Sequence, residues 1–194
     1  EKDRYIRGIT EDGLRIGSKE NEEASLWLNP QSWAVLSGLA NMETSEIILE
    51  NVHKNLNTKF GAKLMSPSFK NIDFNGALAK VYNGSTKENG GIFLQTQGWL
   101  ILAESIMGHG NRAYQYYKEI SPAHQNHIAN IRQMEPYVYG QFTESRPSPF
   151  EGRSHVHWLT GTASTVMVSC VEGILGIRPD IKRILIQPSI PSNW

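Results

Sequence analysis

The residues whose types and spacing most readily do chemistry run from Ser154 to Ser164, as Ser-His-Val-His-Trp-Leu-Thr-Gly-Thr-Ala-Ser. Thr160 and Thr162 carry hydroxyls that cap free backbone N–H groups, and Gly161 between them lets another group approach closely. Behind them Val166, Met167, Val168, Cys170, Val171, Ile174 and Leu175 cover nearly every helical face, and Gly176 and Pro179 close the run. A helix apolar all round belongs in a core. Its first turn is small, hydroxylated and uncharged, and it is fronted by His155, His157 and Trp158, so its N–H groups and dipole suit an anion. The same hydroxyls also serve as a plain helix cap, and on these residues alone both readings stand.

Other chemistries have less support. His155 and His157 are two apart and Cys170 is the only cysteine, which is a poor metal-ligand pattern. No serine lies in a nucleophile elbow, and no histidine has an identifiable orienting acid. Loops rich in Trp, Tyr, Asn, Gln and Glu suit a carbohydrate, whose hydroxyls need polar partners and whose ring faces need aromatic platforms. A sugar and a phosphate in one pocket satisfy both features.

The elements that position these residues are mainly helical. Residues 5–10 and 14–16 read as short strands around Glu11-Asp12-Gly13. Asn29 and Pro30 start a helix with Trp33, Leu36 and Leu39 inward. A second helix spans residues 44–57 through Ile47, Ile48, Val52 and Leu56. Residues 59–87 lose periodicity and collect Gly61, Pro67, Gly76 and Gly84. Further helices follow Gln97 up to Gly108 and cover residues 112–120, where Ala113, Tyr116 and Ile120 point inward. Residues 134–142 are extended and aromatic, and residues 181–190 alternate as a strand without an evident partner. Helix, polar glycine-containing loop, antiparallel helix is the pattern of a helical barrel built from hairpins, although no strict sequence repeat is visible. In such a barrel the loops before the inner helices meet, which would gather residues 15–23, 82–97 and 155–162.

Composition bounds the partners. The chain has 194 residues, 39% hydrophobic and 20% charged, with a net charge of +0, which favours neither nucleic acid nor a membrane surface. A lone cysteine excludes an internal disulfide and fits a reducing, cytoplasmic setting. The start Glu1-Lys2-Asp3-Arg4 is neither an initiator methionine nor a signal peptide, so the chain is expected to be part of a larger protein.

Lys87-Glu88-Asn89-Gly90-Gly91-Ile92-Phe93, Glu135-Pro136-Tyr137-Val138, His157-Trp158-Leu159-Thr160-Gly161-Thr162-Ala163 and Gly176-Ile177-Arg178-Pro179 resemble, in order and spacing, the C-terminal half of the glycoside hydrolase family 94 phosphorylases, which act on cellobiose and chitobiose. Gly17-Ser18-Lys19-Glu20-Asn21-Glu22 and Asn29-Pro30-Gln31-Ser32-Trp33 resemble the same family upstream. The resemblance implies the C-terminal part of an (α/α)6 barrel over residues 1–178 and the start of a small C-terminal β domain over residues 179–194. It implies inverting phosphorolysis of a β-linked disaccharide to a sugar 1-phosphate, with inorganic phosphate as a substrate and no cofactor or metal. The general-acid Asp of the family lies upstream, so no catalytic residue is expected in this chain, whose partners would be the rest of the enzyme and a second copy in a homodimer.

Position by position, the resemblance makes Thr160 and Gly161 the phosphate-binding pair. Gln95 stands where many members have a phosphate-contacting histidine, and an amide donates a hydrogen bond without carrying an imidazolium charge. Tyr82, Lys87 and Glu88 match acceptor-side contacts. Arg15 and Lys19, four apart beside the expected acceptor subsite, would suit a carboxylate. That pattern resembles the cellobionic acid branch, which releases gluconic acid and glucose 1-phosphate. Chitobiose or cellobiose phosphorolysis is the alternative, and an inverting glycosidase using water a second.

Overall fold

The computed structural model describes residues 1–70 and 78–194; Gly76 lies outside the described residues. The hairpin β1 (Gly8–Ile9) and β2 (Arg15–Ile16) forms around the expected turn, antiparallel, with Gly8 opposite Ile16. Strand β3 (Leu26–Trp27) runs directly into α1 (Leu28–Leu36), and α2 (Met42–Leu56) returns after a short turn. Asn41 caps α2 by accepting the Thr44 N–H at 2.8 Å. Strand β4 (Met65–Ser66) pairs with β3, and a single 3-10 turn follows at Leu78–Val81. Strand β5 (Ile92–Phe93) leads into α3 (Leu94–Ile106), and α4 (Gly110–Ile120) folds back along it. After the short α5 (Ala129–Arg132), β6 (Phe142–Thr143) pairs with β5 on one side and with β7 (Ser154–His155) on the other. The last helix, α6 (Thr162–Val168), continues as a π-helical turn over Ser169–Ile174.

Helix α3 is the centre of the packing and contacts α1, α4 and α6. Leu94, Leu100, Ile101 and Ala103 are fully buried there. Burying each of the larger ones contributes about 1.5–3 kcal/mol. Contacts at both ends fix the direction of α6: Gln95 touches Gly161 near the start of each helix, and Ser105 touches Gly173 near the end. The two helices therefore run parallel. Helix α1 runs the same way, because Leu28 N–H donates to Leu64 O, Leu64 N–H donates to Gly91 O, and the Trp33 and Trp99 rings meet at 5.4 Å.

Helices α1 and α3 share a local pattern that is easily passed over as ordinary helix sequence, Leu28-x-x-Gln31-Ser32-Trp33 and Leu94-x-x-Gln97-Gly98-Trp99. Both glutamines are completely buried and both clasp the backbone of a distant loop. Gln31 accepts the Tyr5 N–H at 2.8 Å and donates to Tyr5 O at 2.9 Å; Gln97 does the same for Ala62 at 2.8 and 2.9 Å. A buried amide satisfied on both sides holds its loop without leaving a desolvated polar atom. By this register Asn29 on α1 occupies the position that Gln95 has on α3.

Several expectations are corrected. Asn29 does not cap α1: the strand runs straight into the helix at Leu28, so the N-cap position falls on Trp27, which makes no side-chain cap hydrogen bond, and Asn29 lies inside the first turn. Trp33 and Leu39 are not inward but 49% and 68% exposed. The stretch after Thr162 is not buried all round, because α6 packs on α3 along one side; Val166 and Ile174 are covered while Met167 is 69% exposed. The terminal strand has a partner, since β9 (Ile184–Ile186) pairs antiparallel with β8 (Ile177–Pro179), which begins just after Gly176 and takes in Pro179.

Candidate phosphate and acceptor site

The short strands tie together the loops that precede the parallel helices, and the candidate site forms at those helix starts. Gly161 is the residue before α6, and a Cβ placed on it would lie 3.0 Å from both Cδ and Nε2 of Gln95. The absence of a side chain is what lets the Gln95 amide rest against the helix start. Thr165 Oγ1 donates to Gln95 O at 3.0 Å and locks α6 to the first turn of α3. Thr160 Oγ1 accepts the Thr162 N–H at 3.1 Å and lies 2.6 Å from Thr162 Oγ1, which reaches Gly140 O at 3.2 Å. Thr160 thus satisfies the first N–H of α6 from the residue before the N-cap Gly161, against which Gln95 rests. The fold thus brings Gln95, 66 residues earlier in the chain, against Gly161.

The approach to this corner is strained. Val156 and Trp158 have φ of 55° and 69°, and a β-branched residue at positive φ is a genuine outlier. Leu159 N–H donates to His157 O and Thr160 N–H to Trp158 O, which makes successive tight turns. Gln141 N–H holds His155 O and Val156 O, and the Trp158 indole donates to Glu135 at 2.7 Å. Such strain persists only where surrounding contacts over-determine it.

An acid does orient a histidine. Glu144, 5% exposed, lies 2.6 Å from His155 Nε2 and accepts from Arg153 at 2.9 and 3.0 Å and from Ser148. The β6–β7 register, with Thr143 opposite Ser154, sets Glu144 beside both partners. Burial pushes its carboxyl up, but the hydrogen bonds from Ser148, His155 and Arg153 outweigh that and hold it below the ordinary carboxylate value. The His155 ring stacks on Phe142 at 4.8 Å and 10°.

On the acceptor side, Lys87 Nζ sits 5.2 Å from the centre of the Tyr82 ring. Gly90 and Gly91 make the turn that permits this, since a Cβ on Gly91 would lie 2.6 Å from Lys87 N and one on Gly90 would lie 2.7 Å from Gly84 O. Asn89 holds the turn from inside, donating to Tyr82 O at 2.7 Å and Phe69 O at 3.0 Å. Glu88 is half-buried at the same turn. Arg15 is exposed on β2, and Lys19 pairs with Asp3 at 2.9 Å. No hydrogen bond, ion pair or ring contact among the described residues joins Arg15 or Lys19 to Tyr82, Lys87 or Glu88. Among the described residues no group of three or more His, Cys, Asp or Glu could hold a metal ion, and no helix is long and apolar enough to cross a membrane.

Thr160 offers a direct test of whether the cap is also a ligand. Thr160→Val removes one hydroxyl that the helix start uses, at about 1 kcal/mol. If the hydroxyl also contacts phosphate, the KM for phosphate rises about tenfold while disaccharide KM moves little. Steady-state kinetics with each substrate varied in turn checks this, and an unchanged phosphate KM would leave Thr160 as a cap alone.

Helices α1, α3 and α6 thus run parallel, and their starts gather polar loops and a glycine-backed amide at one end of an α-helical framework. A model of the glycosyl hydrolase 94 superfamily catalytic domain matches residues 1–176, and the chain belongs to that family. It is 38% identical to an N,N'-diacetylchitobiose phosphorylase of Vibrio proteolyticus over 98% of this chain and 24% of that protein. It is 29% identical to a solabiose phosphorylase of Paenibacillus borealis over 99% of this chain and 25% of that protein. It is 30% identical to a cellobionic acid phosphorylase of Neurospora crassa over 98% of this chain and 24% of that protein. The chain therefore spans about a quarter of the length of the curated relatives it matches.

Proposed function

We propose that this chain forms part of an enzyme that cleaves a β-linked disaccharide by inverting phosphorolysis, giving a sugar 1-phosphate. The observation that carries this reading is the Gln95 amide packed on Gly161 beside Thr160, where α3 and α6 start together. Phosphate held there takes the place that water has in an inverting hydrolase and attacks the anomeric carbon from the face opposite the leaving oxygen. A carboxylic acid must protonate that oxygen, and the family resemblance assigns it to an Asp outside this chain. Helices α1 to α4 and α6 fit the C-terminal part of an (α/α)6 barrel over residues 1–178, with residues 179–194 opening a β domain. A cytoplasmic homodimer completed by the rest of the same enzyme accords with the resemblance.

For the leaving sugar we favour gluconic acid, released from cellobionic acid together with glucose 1-phosphate. Basic residues border the acceptor side, and the Neurospora relative is named for that substrate. The second reading, N,N'-diacetylchitobiose, is favoured by the Vibrio proteins at 38% identity. The enzyme containing this chain is expected to consume disaccharide and form sugar 1-phosphate only when inorganic phosphate is supplied. Chromatographic product analysis with cellobionic acid, chitobiose and cellobiose checks this. Equal turnover without phosphate, giving free sugars, would instead assign a glycosidase.

A further inference from the structure

We infer that Glu144 and His155 form a positioning pair for the phosphate corner: they fix the last residue before the strained turn that delivers Thr160 and Gly161 to the start of α6. The inference rests on the phosphorylase reading and goes beyond it, since neither side chain is among those read as touching phosphate or sugar.

Strand β7 consists of Ser154 and His155 alone, and the next residue, Val156, already has a φ of 55°. So short a ladder gives the turn little purchase, and the Glu144 side chain supplies the rest. Its carboxylate accepts from Arg153 at 2.9 and 3.0 Å, from Ser148, and from His155 Nε2 at 2.6 Å, which gathers side chains of the loop after β6 and of β7 on one group. A carboxylate only accepts, so the imidazole proton lies on Nε2 and the bond is charge-assisted. Such bonds are about twice as strong as neutral ones. The Phe142 ring, stacked on the imidazole at 4.8 Å, fixes the plane in which His155 reaches Glu144. Backbone bonds run alongside: Glu144 N–H donates to Arg153 O and Gly152 N–H to Glu144 O, each at 2.9 Å.

From His155 the constraint passes to the start of α6. The Gln141 N–H donates to His155 O and Val156 O at 2.9 and 3.2 Å, and Gly140 O, one residue earlier, accepts Thr162 Oγ1 at 3.2 Å. Residues 140 and 141 thus grip the turn at both ends, at His155 and at the first residue of the helix. The approach is close enough to require a glycine, because a Cβ on Gly140 would lie 2.7 Å from His155 O. Between these ends Val156 and Trp158 stand in the left-handed region, and a backbone held there relaxes once its surroundings no longer fix it. The middle of the turn is held by the Trp158 indole on Glu135, an exposed bond for which water competes. The anchor withdrawn from water is the Glu144 carboxylate, 5% exposed. Freeing it lets the turn relax and shifts Thr160 and Gly161 away from Gln95.

The test uses the enzyme containing this chain. Glu144→Ala and His155→Leu are each expected to raise the KM for phosphate about tenfold or more, while the disaccharide KM changes less than about twofold. Glu144→Gln and His155→Gln, which each keep a partner for the bond between the two side chains, should recover most of the loss. Glu104→Ala, at the far end of α3, controls for lost stability and should leave the phosphate KM near that of the unmodified enzyme. An unchanged phosphate KM, an equal rise in both KM values, or no recovery in the glutamine variants overturns the proposal. Hydrogen exchange reads the geometry without turnover. The Thr160 and Thr162 N–H groups, which donate to Trp158 O and Thr160 Oγ1, should exchange about tenfold faster in His155→Leu while the α4 amides keep their protection. That result, in an enzyme that turns over disaccharide without phosphate, sustains the positioning pair and sinks the phosphorylase reading alone; unaltered exchange at both threonines overturns the pair.

Discussion

Gly98→Ala is expected to cost about 1–3 kcal/mol of stability through overpacking, and to lower phosphate-dependent turnover about a hundredfold if the reacting groups move by about 1 Å. The reason is the closeness of α3 and α6. A Cβ on Gly98 would lie 2.6 Å from the carbonyl carbon of Thr165, 2.7 Å from its oxygen and 2.8 Å from its Cβ. Two of these are backbone atoms, so no side-chain rotation relieves the contact; the helices must separate. Gln95 stands three residues before Gly98, and Gly161 four residues before Thr165, so a separation here opens the corner where the amide rests on the glycine. Stability and catalysis therefore fall together. Gly8→Ala is the control, because a Cβ there meets nothing within 4 Å and the backbone does not have positive φ. It is expected to stay within about 0.5 kcal/mol of the unmodified protein. Denaturant melts and phosphate-varied kinetics of both variants check the argument. Full activity in Gly98→Ala would mean that α3 and α6 do not approach as described.

What could be read from the sequence were features set by neighbours along the chain. Helices α2 and α4 were legible because Ile48, Val52 and Leu56, and Ala113, Tyr116 and Ile120, recur at helical spacing and are all buried. The same rule misplaced Trp33, which has the right spacing but stands against Trp99 at the edge of the packing, half exposed. Periodicity reports amphipathicity and does not say which other element covers the apolar face. The length of α1 was misjudged for a related reason. Asn29-Pro30 is a good start signal, yet the pairing of β3 with β4 overrides it and begins the helix at Leu28.

The candidate site divides along the same line. Thr160, Gly161 and Gln95 lie in recognisable motifs, and the fold places them together. The Glu144–His155 pair was invisible because it depends on the β6–β7 register, a pairing of two-residue strands too short to leave an alternating pattern. Asn89 stands in sequence as one polar residue before two glycines, but its amide bonds Phe69 and Tyr82, 20 and 7 residues away, and so holds the acceptor-side turn. The extreme case is a cavity lined in part by Lys63, Lys70, Lys80 and Arg146, which only the tertiary fold makes neighbours.

At the opposite end of α3, Glu104→Ala is expected to destabilise the fold by about 3 kcal/mol or more, as removal of one partner from a buried ionic group does. Glu104 is completely buried, with His109 Nδ1 at 2.6 Å and Arg112 Nη1 at 3.6 Å. Burial pushes its carboxyl pKa up, against the opposing pull of His109 and Arg112. The same two side chains reach α2: His109 Nε2 is 3.1 Å from Glu46, and Arg112 Nη2 is 2.9 Å from Glu50. One carboxylate therefore joins α2, α3 and α4 through two bridging side chains. Alanine leaves a cavity and strips both bridges of their innermost acceptor, whereas Glu104→Gln keeps the volume and an acceptor and should lose less. A double-mutant cycle with His109→Ala separates the pair from the cavity, and a coupling of about 1 kcal/mol or more is expected for residues in such contact. Nine residues of helix rise, roughly 13 Å, separate Glu104 from Gln95. The KM for phosphate should accordingly stay near that of the unmodified enzyme at temperatures where the variant is folded. Denaturant unfolding with a near-zero coupling would show that Glu104 and His109 contribute independently, and a raised phosphate KM would show that the two ends of α3 are not separate.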